Sequence, residues 1–231
     1  MVLEHPEGDP RHHFTEILHD IQHGIIRMGS LVEENLLRVG IAMTENRLGL
    51  VERVRDADEP INELYARLER QTFETLARQQ PVAGDLRFLV SATRILYELE
   101  RSGDLAVNCA KAIDRMNGVP NDQRLKASLR QLLDATARVF RMGIDAIGDM
   151  DPDAGEVLDK ADDEVDDLVG EYYGLIAELS QTVGLDVAIG LSRIGRFLER
   201  IADHAVNIGE NVQYVVTASF PGDTHAALTD E

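Results

Sequence analysis

Arg94-Ile95-Leu96-Tyr97-Glu98-Leu99-Glu100-Arg101-Ser102-Gly103-Asp104-Leu105-Ala106-Val107-Asn108-Cys109 returns ninety-nine positions later as Arg193-Ile194-Gly195-Arg196-Phe197-Leu198-Glu199-Arg200-Ile201-Ala202-Asp203-His204-Ala205-Val206-Asn207-Ile208. Nine of the sixteen positions are identical. The shared residues include polar ones at helical spacing, Glu100/Asp104/Asn108 against Glu199/Asp203/Asn207. Such self-similarity marks a tandem duplication with one acidic site in each half.

A weaker echo precedes it in each half. Ala57-Asp58-Glu59-Pro60-Ile61-Asn62-Glu63-Leu64 corresponds to Ala161-Asp162-Asp163-Glu164-Val165-Asp166-Asp167-Leu168, with three identities and four conservative pairs. The echoes keep the same order, and a loop about five residues longer at Gln79-Gln80-Pro81-Val82-Ala83-Gly84 accounts for their different separations.

Helix-breaking residues divide the rest into six long helical stretches. The boundaries read as His12 to Thr44, Asn46 to Arg78, a third from beyond Gly84 to Met116, Asp122 to Ile147, Asp153 to Thr182, and a sixth after Gly184 to Thr217. The expected fold is all-α: two tandem three-helix bundles at 1–118 and 119–218, with a disordered tail at 219–231. Pro60 conflicts with a continuous second helix and should kink it or mark a late start.

With 42 acids in the chain, chance alone produces about eight pairs of acids spaced four apart, so spacing is not enough. Angle is more telling. With Glu100 at zero, Asp104 falls at about +40°, while Leu89, Val107, Leu96 and Gly103 fall between about −20° and −60°. Glu100 and Asp104 therefore flank the apolar stripe, and Glu98 and Arg101 point away toward water. Glu199 and Asp203, Asp162 and Asp166, and Asp58 with Asn62 take the same place on their own helices.

Carboxylates brought together between helices repel one another and lose hydration, so a cation must compensate them. Oxygen donors alone suit Mg²⁺, Mn²⁺, Ca²⁺ or iron. Salt bridges to Arg101, Arg200 or Arg94 are the equal alternative at this level. Gly103 and Ala202 leave room beside either arrangement.

Composition narrows the function. The chain has 42 acids, 23 bases and a net charge of −19, which excludes a non-specific nucleic-acid binder. Cys109 is its single cysteine, so no intrachain disulfide forms; a buried helix position in a reducing compartment is expected. Neither a signal-type segment nor an apolar run of about 18 residues is present, and the expectation is a cytoplasmic protein. P-loop, nucleophile-elbow and dinucleotide motifs are all missing, so no enzyme is expected.

Weaker features have plainer readings. Asp149, Asp151 and Asp153 begin like a calcium loop, but Ala154 and Lys160 occupy positions that need Gly and Glu, which favours an N-cap. Glu16 and His19 form one Glu-x-x-His where a di-iron bundle needs two, so a di-iron or metal-storage protein is only the alternative. His19 and His23 share a helix face and read as exposed. His204, beside Asp203, is positioned to join or brace the acidic site.

Three stretches, Arg78-Gln79-Gln80-Pro81-Val82-Ala83-Gly84-Asp85-Leu86-Arg87, Leu99-Glu100-Arg101-Ser102-Gly103-Asp104 and Phe197 through Ile208, resemble the PhoU family of phosphate-transport regulators. With the helix count, the resemblance spans about His13 to Val216. It implies two similar three-helix bundles with two acid-x-x-x-Asp motifs per bundle binding metal clusters, of Fe, Zn, Mn or Mg. By position these are Asp58/Asn62 with Glu100/Asp104, and Asp162/Asp166 with Glu199/Asp203. Asn62 departs from the acidic pattern. The resemblance further implies a non-enzymatic repressor of phosphate-starvation signalling, a homo-oligomer, most simply a dimer. Its partners would be a phosphate ABC transporter ATPase and a sensor histidine kinase.

Overall fold

The computed structural model describes residues 10–219, so the expected tail lies outside the described residues except for Ser219. Seven helices and no strand are found among them. They are α1 (Pro10–Thr44), α2 (Gly49–Asp56), α3 (Asp58–Gln79), α4 (Ala83–Arg115), α5 (Gln123–Asp149), α6 (Ala154–Val183) and α7 (Leu185–Thr217).

The extra helix comes from Pro60. A continuous helix would require an amide N–H at residue 60 to reach the Asp56 carbonyl, and proline has none. The helix therefore ends at Asp56 and restarts at Asp58, placing Pro60 in the first turn of α3, where no donor is needed. The expectation of a late start holds.

Burial patterns separate central helices from peripheral ones. On α6 the buried side chains Leu158, Val165, Val169, Tyr172, Ile176 and Leu179 form one narrow stripe. α4, by contrast, buries residues around most of its circumference, including the run Leu105-Ala106-Val107. One stripe seals a helix against a single seam, whereas a helix buried all round has neighbours on opposite sides. Accordingly α1 packs on α4, α4 on α7, α7 on α5 and α5 back on α1, closing a ring of four. α2 and α3 lie across α1 and α4, and α6 lies across α5 and α7. The expected division at 118/119 falls in the α4–α5 connection, and one apolar core runs through both halves.

Polar ties fix the register of the ring. Arg141 on α5 donates through Nε to Glu33 Oε1 on α1 at 2.7 Å. The Asn46 side chain donates to the Val119 carbonyl at 2.9 Å and accepts from the Val119 amide at 2.8 Å, pinning the α4–α5 connection to the turn after α1. Asp122 caps α5, accepting from the Arg124 and Leu125 amides.

Candidate metal centres

α3 and α4 bring together the first acidic set. Asp58 is the first residue of α3, Asn62 follows one turn later, and both belong with Glu100 and Asp104 of α4. Asn62 Nδ2 donates to Asp58 Oδ2 at 3.0 Å. The other oxygen, Asp58 Oδ1, is buried without a hydrogen-bond partner. It stands 3.4 Å from the point where a Cβ on Gly103 would lie, so glycine keeps this space open. Burial raises the Asp58 carboxyl above its usual range; Asn62 offsets part of this, Asp104 adds to it, and Lys111 opposes it. Burial also raises Glu100, with Asp104 and Asp58 adding and Arg101 opposing.

The second set, Asp162 and Asp166 on α6 with Glu199 and Asp203 on α7, has four carboxylates instead of three. Burial, then Asp166 and Asp203, push Asp162 up to about 7. Burial and Glu199 raise Asp166, and the same two causes raise Asp203. In both halves the predicted residues therefore lie close enough to perturb one another's protonation. Among the described residues no three His, Cys, Asp or Glu side chains converge at metal-binding distance as they stand. Holding an ion thus requires rotamer adjustment, which the partly exposed positions of these side chains permit.

The donor chemistry fits a cation. Each set offers oxygen ligands only, they repel one another, and the first contains a buried oxygen without a partner. Basic neighbours meet only part of this charge. Arg101 reaches Asp104 Oδ2 at 3.3 Å, and Arg196 pairs with Glu199 Oε1 at 2.6 Å. Of the arginines weighed from sequence, only Arg101 takes this role. Arg196 replaces Arg200 and Arg94, and its signal was its place three residues before Glu199 on the same helix face.

Two expectations need correction. Glu98 does not point to water: it pairs with His204 Nδ1 across α4 and α7, with side-chain exposures of 14% and 9%. Its position opposite the acidic stripe is the face by which α4 meets α7. His204 consequently braces the interface between the halves while lying close enough to Asp203 to oppose the rise in its pKa, and its Nε2 is buried without a partner. At the start of α6, Asp151 rather than the N-cap residue Asp153 accepts a backbone bond, from the Asp153 amide at 2.9 Å. His19 and His23 are exposed neighbours with ring centroids 6.2 Å apart. Glu16 pairs with His12 and His13. Cys109 is buried, which pushes its thiol pKa up.

Residues 25–113 and 129–212 each match the family model described as the PhoU domain, one match for each copy of the repeat. The chain belongs to the PhoU family. It is 31% identical over 216 residues to the phosphate-specific transport system accessory protein PhoU homolog of Synechocystis, covering 93% of this chain and 95% of that protein. It is 35% identical over 198 residues to PhoU homolog 1 of Mycobacterium tuberculosis, covering 84% and 88%. Its fold is similar to the crystal structure of PhoU from Pseudomonas aeruginosa, with a TM-score of 0.83 and 27% identity over 89% of this chain and all of that one. The phosphate transport system regulatory protein PhoU from Streptococcus pneumoniae shares the fold with a TM-score of 0.81. Among the described residues of this PhoU-family member, no helix is long and apolar enough to cross a membrane.

Proposed function

We propose that this chain is an accessory protein of phosphate transport that acts in the cytoplasm as a negative regulator of phosphate uptake and starvation signalling. It acts by docking, as a homodimer, between the ATPase of a phosphate ABC transporter and a sensor histidine kinase, and it catalyses no reaction. The observation that carries this reading is the likeness, over nearly the full length of both chains, to proteins named phosphate-specific transport system accessory proteins. Deleting the gene in its host and measuring phosphatase expression in high phosphate tests it. Derepression is the expected outcome. Unchanged expression and uptake, with neither partner recovered by affinity purification, would refute it.

Within that role each half holds Fe, Zn, Mn or Mg ions, Asp58, Asn62, Glu100 and Asp104 supplying donors in one and Asp162, Asp166, Glu199 and Asp203 in the other. A bound cation neutralises the opposed carboxylates and links α3 to α4 and α6 to α7. The peripheral helices are then held rigidly on the ring, which gives partners a preorganised surface. Metal analysis of protein purified without chelator, against the Glu199→Ala/Asp203→Ala variant, should show less metal in the variant. Equal content would remove these residues from the site.

A further inference from the structure

An open cavity of about 560 Å³ lies where the end of α4 meets the start of α7, and none of the eight acidic-set residues lines it. Lys111, Arg115 and Arg193 surround it, and Asp186 is the one acid on its walls among the described residues. In a chain with 42 acids and 23 bases, this reverses the prevailing sign of charge. The three cations are exposed and form no ion pair among the described residues, although Lys111 is close enough to lower the Asp58 pKa. Their charge is thus largely available to a ligand. Met116, Ile189 and Phe197 add apolar lining.

The duplication provides an internal control. Ninety-nine positions away along the paired helices, Lys111 and Arg115 correspond to Glu210 and Tyr214, and only Arg193 keeps its charge, as Arg94. Asp186 corresponds to Arg87, whose Nε donates to the carbonyl of Val215, the counterpart of Met116, at 3.1 Å. One copy is therefore crossed by the Arg87 side-chain tie and has two cations, Arg87 and Arg94, beside the acid Glu210. The other is open and has three.

We propose that the cavity binds a phosphorylated small molecule of nucleotide size, its phosphates on Lys111, Arg115 and Arg193 and its uncharged part on Met116, Ile189 and Phe197. Its volume falls in the usual range for small-molecule sites and far exceeds one phosphate group. Guanidinium groups match phosphate oxygens in paired hydrogen bonds. The net charge of −19 repels extended polyanions such as RNA or an anionic membrane, whereas a small ligand meets mainly the local field. The uncapped start of α7 adds the positive end of a helix dipole on the same wall.

The test titrates the full chain with fluorescently labelled ADP at low salt in excess chelator, so that no ion on the carboxylate sets can capture the phosphates. Unlabelled ADP, pyrophosphate, inorganic phosphate and adenosine then compete. Saturable binding is expected, displaced best by ADP and weakened about tenfold or more by Arg115→Ser or Arg193→Ser. Arg124→Ser, which is not among the lining residues, should leave it unchanged, and thermal melts confirm that each variant folds. Absence of saturable binding, or variants that bind like wild type, overturns the proposal. Pyrophosphate competing as well as ADP overturns the assigned ligand class. None of these outcomes bears on the metal or regulatory readings, which rest on other residues.

Discussion

Replacing Asp162 by Asn tests the electrostatics of the second acidic set. Burial, then Asp166 and Asp203, raise this carboxyl from 3.8 to about 7. At about 1.36 kcal/mol per pH unit, that shift corresponds to about 4 kcal/mol. Because Asp162 is only half-buried, water screens its neighbours, and about 1–2 kcal/mol is the expected effect. The folded chain binds this proton more tightly than the unfolded chain does. Stability is therefore fully present below about pH 4 and is lost as the pH rises toward about 7. Asparagine carries no charge and removes that loss. One kcal/mol moves Tm by about 2–4 °C in a chain of this size, so in chelator at about pH 8 the variant should melt about 2–8 °C above wild type. At about pH 4 the gap should nearly close. Added metal should reverse the order: an ion at a hundred times its Kd stabilises wild type by about 2.7 kcal/mol, and the variant, lacking a charged donor, gains less. Calorimetric melts at both pH values, with and without metal, measure all of this. A variant that melts no higher than wild type in chelator at the higher pH, or a gap that persists at the lower one, refutes the electrostatic argument.

Glu98→Leu should destabilise the chain by about 1–3 kcal/mol in urea denaturation, because it leaves buried His204 Nδ1 without a partner. The double variant Glu98→Phe/His204→Leu copies the apolar pair Phe197 and Leu105 found at the repeat-related position; it should recover most of that loss, and purely additive losses would count against the pairing. Gly209→Ala should cost about 1–3 kcal/mol, since its Cβ would collide with Leu158 and lie 2.8 Å from the Ala154 carbonyl. Gly170→Ala, with nothing within 4 Å, should instead stabilise by about 0.5–1 kcal/mol, and equal Tm shifts for the two would refute the close α6–α7 approach.

Reading the chain alone identified the repeat, the helical class, the interruption of the second helix near Pro60 and the carboxylates that flank the apolar stripes. All of these depend on spacing along one helix, and at 100° per residue spacing fixes which side chains share a face. Sequence could not show what lies opposite that face. Glu98 reads as solvent-exposed because it lies across from the stripe of α4, but α4 is central and meets α7 there, so Glu98 is buried against His204. The cation-lined cavity was missed for the same reason, whereas Arg196 was legible from its i,i+3 spacing to Glu199. The cavity joins residues 108–116 to 186–197, which are far apart in the chain and adjoin only because α4 and α7 pack together. Periodicity determines each helix's apolar surface. Which helices cover it, and which charges are thereby buried or brought together, is decided when several such surfaces compete to leave water at once.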